Sequence, residues 1–282
     1  IAIGGGSVMD IAKVVMAYLS LSNSNLKELI SYEKSYKNKI SSIFIPTTHG
    51  TASEVTKWGT LWNMEEKKKY SISNPELYPS IAILDPRVTL SLPLDLSIIT
   101  IMDALSHSLE SIWNKNSNPK STDYAIKAIS IIINNYKEFK KNPKSLRLRK
   151  LFLNASNTAG LAFSNTQTAA AHSISYPLTL LYGIPHGIAS SITLIPLLKI
   201  NKNYIKKELK TLCSLNRISL EDFLFKIEDI PRSVVSMKLK DWGIKKSCIK
   251  KLSDYSFTKG RMDNNIAKLN KNDVENILRE VY

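Results

Sequence analysis

The sequence predicts an α/β domain over residues 1–93 followed by an all-helical domain over residues 94–282. Three observations carry that reading. Up to Asp85-Pro86, short apolar runs end in Gly-, Pro- and Thr-rich turns, the pattern of buried strands. From Leu92-Pro93 onward the apolar spacing becomes helical and stays so. The first long apolar helix of the second part, residues 97 to 113, carries Asp103 and His107 four residues apart, on one face of one rigid element.

At 282 residues the chain is long enough for two domains. A hydrophobic fraction of 43% with 22% charged residues is ordinary for a globular protein and excludes a disordered or fibrous chain. No apolar run approaches the roughly 18–20 residues of a membrane span, and no signal-peptide pattern opens the chain. Cys213 and Cys248 supply no disulfide framework and fit a reducing compartment, so a cytoplasmic location is expected. The net charge of +15 raises nucleic acid, an anionic membrane or an acidic substrate as partners. The lysines are scattered, with small clusters at Lys67-Lys68-Lys69 and Lys245-Lys246. They form no basic stripe of the kind that tracks nucleic acid.

Ile1-Ala2-Ile3 reads as the end of a buried strand. Gly4-Gly5-Gly6-Ser7 before Val8-Met9-Asp10-Ile11-Ala12-Lys13 reads as a glycine turn opening a helix. Free backbone N–H groups and the positive end of the helix dipole would make an anion site there, and a dinucleotide pyrophosphate is the anion expected. The turn is neither a GxGxxG fingerprint nor a Walker loop, so a plain glycine turn stays open. Ser42-Ile43-Phe44-Ile45 reads as the next strand, ended by Pro46. Residues Thr47 to Thr56 then place hydroxyls and a glycine at its carboxyl end, the edge at which open α/β sheets bind ligands. A solvated Ser/Thr loop is the alternative. Residues 58–63 and 69–73, joined by the polar turn Met64-Glu65-Glu66-Lys67, predict a hairpin, and Ile81-Ala82-Ile83-Leu84 predicts a last strand.

In the helical part, Asp103 lies among Ile101, Met102, Ala104, Leu105 and Leu109, and a buried carboxylate in such a setting needs a partner or a cation. The chain has only four histidines. Two of the remaining three, His172 and His186, lie downstream in small-residue surroundings. Asp103, His107, His172 and His186 thus form a candidate four-ligand metal set, the alternative being hydrogen-bonded core histidines. Further helices are expected over 122–135 and about 145–165. The tail predicts helices over 220–227, 248–255 and 273–281, with Arg261 to Asn265 as a loop between the last two.

The motifs GGGSVMDIAK, PTTHGTASEVT, LDPRVTLSLP, MDALSHSLES and HSISYPLTLLYGIPHG follow one another from Gly4 to about Pro196. Together they closely resemble the iron-containing alcohol dehydrogenase family, whose superfamily also holds glycerol dehydrogenase and dehydroquinate synthase. The resemblance implies a partial Rossmann-like nucleotide-binding domain followed by a dehydroquinate synthase-like all-α metal-binding domain. It implies a divalent metal, Fe(II) or Zn(II), on Asp103, His107, His172 and His186. It places the pyrophosphate of NADH or NADPH on Gly5, Gly6 and Ser7, with further cofactor contacts from Thr47, Thr48, Thr51, Thr56, Lys69 and Leu96 in the interdomain cleft. Such a metal would polarise a carbonyl and stabilise the developing alkoxide while the nicotinamide delivers hydride. Many members carry a histidine four residues after the first downstream ligand. Here that position is Tyr176, the expected catalytic proton donor, with a water or the cofactor ribose hydroxyl as alternatives.

Two departures accompany the resemblance. The family's first nucleotide-domain strands and helices, which precede the glycine turn, are absent from this sequence. An exposed sheet edge and a missing part of the adenosine pocket are therefore expected, whether the chain is part of a longer enzyme or a natural fragment. The second departure is His49, where the family commonly has a small residue; it is read as a neighbour of substrate or cofactor.

WGTLWNMEEKKKYSI, Tyr176 and FTKGRMDNN resemble the branch that reduces phosphonoacetaldehyde to 2-hydroxyethylphosphonate. A dianionic phosphonate tail needs fixed cations, and Lys57 and Arg261 are the substrate candidates, together with Lys69, which has a competing cofactor role. For Arg261 an interdomain salt bridge is the alternative. The expected partners are a small aldehyde or alcohol, carrying a phosphonate on this reading, and further copies of the chain in a homo-oligomer; neither nucleic acid nor membrane is expected. Two other readings stay open: a general short-chain alcohol dehydrogenase that prefers butanal or propanal, and a non-catalytic fragment.

Overall fold

The computed structural model describes residues 1–20, 40–63, 65–66 and 68–282. Its first part comprises β1 (Ala2–Gly4), α1 (Gly6–Ser20), β2 (Ile43–Pro46), β3 (Trp58–Asn63), β4 (Lys68–Ser73) and β5 (Ile81–Ala82). Strands β1, β2 and β5 form a parallel sheet in the order β1-β2-β5, with Ala2 opposite Phe44 and Phe44 opposite Ala82. β3 and β4 pair as the expected antiparallel hairpin, in a register that sets Trp62 opposite Lys69. Two of its expected turn residues, Met64 and Lys67, lie outside the described residues. The last strand is shorter than its apolar run, because the chain leaves the sheet for a 3₁₀ turn that Asp85 caps by accepting from the N–H of Arg87, and it is exposed where a buried strand was expected.

Helix α1 lays Met9, Met16 and Ala17 into a small core with Phe44, Ile72 and Leu77. Its polar residues Asp10 and Lys13 are one turn apart and tie the glycine turn to the rest of the segment. Asp10 accepts from Ser53 Oγ at 2.7 Å and from the N–H of Thr60 at 3.0 Å. The fully buried Lys13 ammonium donates to Ser53 O, Thr56 Oγ1 and Trp58 O at 2.6, 3.0 and 2.8 Å. Burial pushes Lys13 down to about 8, against the opposing pull of Asp10 and Glu54.

The second part is helical, as predicted: α2 (Leu94–Ile112), α3 (Pro119–Lys141), α4 (Leu146–Thr166), α5 (Ala170–Tyr182), α6 (His186–Ala189), α7 (Leu194–Asn201), α8 (Lys206–Asn216), α9 (Leu220–Asp229), α10 (Ile249–Tyr255) and α11 (Lys271–Glu280). Helix α2 is buried from Ile101 to Ile112 and packs against α3, α4 and α6. Its Ile98, Met102, Leu105 and Leu109 join one core cluster with Ile129, Ile132, Phe152 and Ile188. Helix α3 exceeds its expected span at both ends. Asn118 and Ser121 form a capping box ahead of Pro119, and Lys140 and Lys141 sit at the carbonyl end of the dipole. No helix among the described residues is long and apolar enough to cross a membrane.

Candidate metal centre and cofactor cleft

Helix α2 presents Asp103 and His107 from one buried face, as the i, i+4 spacing requires, with His107 Nδ1 4.0 Å from Asp103 Oδ2. His172, in the first turn of α5, brings its Nε2 to 3.6 Å from Asp103 Oδ1. The ligand atoms of these three residues lie within 4.8 Å of one another. His186 opens α6 outside this group of three, on its solvent side, with its Nε2 3.9 Å from Asp103 Oδ1 and its ring 5.4 Å from that of His172. Gly187 allows this approach, since a Cβ there would collide with the carbonyl oxygen of Ile99 on α2. Ser190 also anchors α6 to the site, donating its hydroxyl to Asp103 Oδ1 at 3.0 Å.

The group fits a divalent cation. His107 Nδ1 and His172 Nε2, the ring nitrogens that face Asp103, are buried with no hydrogen-bond partner among the described residues. One carboxylate and three imidazoles are a donor set suited to iron or zinc. Burial drives His107 down to about 4 and His186 to about 3, so both rings are neutral and free to ligate near pH 7. Burial would raise Asp103, but the imidazoles of His107, His172 and His186 outweigh it and hold the carboxyl below the usual carboxylate range. Burial would likewise lower His172, yet Glu110 and Asp103 carry it up to about 10. A metal cation would replace the proton those two carboxylates draw onto that ring.

Aromatic side chains wall the centre. Phe163 stacks on His107 at 4.0 Å between ring centroids and is stacked in turn by Trp58 at 5.9 Å. From the hairpin, Trp62 lies 5.7 Å from His186 and 6.2 Å from Tyr176. Lys69, opposite Trp62, holds its Nζ 3.8 Å from the Tyr176 ring centroid. Burial raises the Tyr176 phenol, but Lys69, Arg261 and His172 together bring it down to about 8.

The residues expected at the cofactor divide. Gly5 and Gly6 turn at the start of α1 against Thr48 and Thr51. A Cβ on Gly6 would come 2.8 Å from Thr51 Oγ1, so a side chain there would have to displace Thr51. Ser7 is exposed beside them, Thr47 and Thr48 are half-buried at the end of β2, and Leu96 is exposed on the first turn of α2. Thr56 is placed differently: it is buried and its hydroxyl accepts from Lys13, which gives it a structural partner away from the open cleft.

A cavity of about 670 Å³ opens beside Tyr176, with Lys68, Lys69, Lys259 and Arg261 among its lining residues. Lys57 does not line it; that ammonium lies over the Trp58 ring at 5.6 Å. Lys68 and Lys259 were missed in the sequence, where Lys68 reads as part of the small cluster Lys67-Lys68-Lys69 and Lys259 as one more lysine of a lysine-rich chain. His49, expected beside substrate or cofactor, instead turns into the helical core. It meets Phe139 and Phe152 edge-on at 6.2 and 6.4 Å, and neither ring nitrogen has a partner among the described residues. Glu110 was also missed, although it lies three residues after His107 on the same helix.

Family models settle where this architecture belongs. The C-terminal model of the Fe-containing alcohol dehydrogenase family matches residues 97–282, and the iron-containing alcohol dehydrogenase model matches residues 1–86. The chain belongs to the iron-containing alcohol dehydrogenase family. The chain is 31% identical over 293 residues to the 4-hydroxybutyrate dehydrogenase of Clostridium kluyveri, across 100% of the chain and 78% of that protein. It is 30% identical over 207 residues to the phosphonoacetaldehyde reductase of Streptomyces viridochromogenes, across 71% of the chain and 52% of that protein. The crystal structure of the sulfoacetaldehyde reductase of Bifidobacterium kashiwanohense in complex with NAD+ superposes with a TM-score of 0.90 at 28% identity. That superposition covers 99% of the chain and 75% of the other. The fold and family expected from the motifs are those observed, and the chain is an oxidoreductase of the alcohol and aldehyde class.

Proposed function

We propose that the chain reduces a short aldehyde bearing an anionic tail to the primary alcohol, with phosphonoacetaldehyde and 2-hydroxyethylphosphonate as the substrate and product. The observation that carries this reading is the cavity beside Tyr176, lined by Lys68, Lys69, Lys259 and Arg261, with Trp62 lying against both Tyr176 and His186. Three relatives act, by name, on aldehydes or alcohols with a carboxylate, phosphonate or sulfonate at the far end, which agrees with a cationic tail site.

On this reading Asp103, His107, His172 and His186 hold the iron, or zinc in its place, and Gly5, Gly6, Ser7, Thr47, Thr48 and Thr51 face NADH or NADPH. When bound, the metal supplies positive charge that polarises the carbonyl, and the reduced nicotinamide supplies the hydride. The remaining work falls to side chains of this chain. Tyr176 holds a proton at Oη beside the cluster, and its phenol, lowered to about 8, can pass that proton to the product oxygen near neutral pH. Lys69 stabilises the phenolate that remains, and the cavity allows it to be reprotonated from solvent. Phe163, Trp58 and Trp62 exclude water from the histidine side.

A general short-chain alcohol dehydrogenase is the second reading, favoured by the apolar wall that Pro177, Leu180 and Leu181 give the same cavity. Loss of NADH or NADPH absorbance with phosphonoacetaldehyde and with butanal, in the presence of Fe(II) or Zn(II), separates the two. Preferred turnover of phosphonoacetaldehyde is expected; turnover of butanal alone would discard the phosphonate reading.

A further inference from the structure

Gln167 sits at the end of α4 with φ 65° and ψ −179°, a backbone region that side chains rarely adopt and that glycine occupies without strain. Its main chain is tied down, the N–H donating to Phe163 O at 2.7 Å and the carbonyl accepting from Asn114 Nδ2 at 3.1 Å. Among the described residues its side chain has one partner, Arg261, whose Nη1 donates to Oε1 at 2.8 Å and to Gly260 O at 2.7 Å. Among the described residues Arg261 has no carboxylate partner, and its Nε and Nη2 donate to no protein group. The guanidinium lines the cavity beside Tyr176 and Lys69. A half-buried guanidinium, pinned at one nitrogen by a neutral amide and otherwise uncommitted, is suited to bind an anion with two parallel hydrogen bonds.

We propose that Gln167 is a positioning residue for substrate specificity: its amide fixes Arg261 so that the free edge of the guanidinium receives the anionic tail of the aldehyde. Asn264 secures the other side of the same loop, donating to Thr168 O at 3.0 Å and Gly260 O at 2.9 Å, so the pinned nitrogen is all that Gln167 needs to hold. The strained backbone is kept because glycine, the unstrained choice, has no acceptor to offer. This inference rests on the anionic-tail reading above.

Three variants test it: Gln167→Gly removes both strain and acceptor, Gln167→Met keeps the strain and removes only the acceptor, and Arg261→Ala removes the guanidinium. Gln167→Gly is expected to melt at the wild-type temperature or higher, which separates the effect from misfolding. Both Gln167 variants are expected to raise KM for phosphonoacetaldehyde about tenfold at unchanged kcat, with KM for butanal unmoved. Without turnover, 2-hydroxyethylphosphonate is expected to raise the melting temperature of the wild type, and that shift should shrink in both variants, while 1-propanol shifts none of them. If Arg261→Ala loses the phosphonate effects and both Gln167 variants keep them, the inference is overturned and the anionic-tail reading stands. If the wild type itself ignores the phosphonate, both are overturned.

Discussion

Glu110 Oε2 lies 2.6 Å from His172 Nδ1, and Oε1 of the same fully buried carboxylate accepts from the N–H groups of Ala171 and His172 at 2.6 and 3.2 Å. The carboxylate fixes the ring so that Nδ1 carries its proton toward Glu110 and Nε2 faces Asp103. That is the arrangement in which a histidine ligand is oriented by an outer carboxylate. Glu110→Gln is therefore expected to lower metal affinity about 10- to 100-fold. Iron or zinc retained after dialysis against graded chelator measures this, and wild-type retention would remove Glu110 from the account.

His49 is buried against Phe139 and Phe152, and burial with the nearby Arg149 cation pushes it down to about 3 from 6.5. Because the folded-state value is the lower one, the unfolded chain takes up the proton first as pH falls. The stability this residue allows is fully present above about 6.5 and is lost as pH drops toward about 3, on the order of 5 kcal/mol across the window. His49→Leu should gain about 1–2 kcal/mol at pH 7 by removing an unpaired buried group, and should flatten the acid limb. Urea midpoints at pH 7 and pH 5 read the difference, and parallel pH profiles for the two proteins would contradict it.

Lys13 donates three buried hydrogen bonds between α1 and the segment from Ser53 to Trp58, and it neutralises Asp10 and Glu54. Lys13→Met leaves those carboxyls without their cation and is expected to destabilise the α/β part by about 3–5 kcal/mol. Hydrogen exchange should show the loss in α1 and β3 first. Unchanged protection there would mean the clip is dispensable.

Trp62 occupies the space between His186 and Tyr176. Trp62→Ala should admit longer chains, raising kcat/KM for hexanal about tenfold relative to propanal. An unchanged ratio would show that the indole does not limit the substrate.

Much of this site was legible because it is periodic or scarce. Asp103 and His107 share a helix face by spacing alone, and with four histidines in the chain His172 and His186 were the natural complements. Glu110 follows the same spacing rule and was within reach, three residues from His107 and seven from Asp103. Other features have no local signal. His49 faces away from the cleft because of how β2 delivers the following turn onto α3 and α4, which is a property of packing. The positive φ of Gln167 arises where α4 ends against the loop around Arg261, and nothing in the neighbouring letters announces it. Thr56 matches the family motif by position, yet the buried Lys13 decides what its hydroxyl does.

Asp103, His107, His172 and His186 are expected to hold one metal ion between them. Metal content per chain, measured by mass spectrometry after reconstitution with Fe(II) or Zn(II) and gel filtration, tests it most directly. About one ion per wild-type chain is expected, and well under one in each of the variants Asp103→Ala, His107→Ala, His172→Ala and His186→Ala, with the folded circular-dichroism spectrum retained. Full metal content in any of the four would contradict the assignment of that residue, and full content in all four would contradict the centre itself.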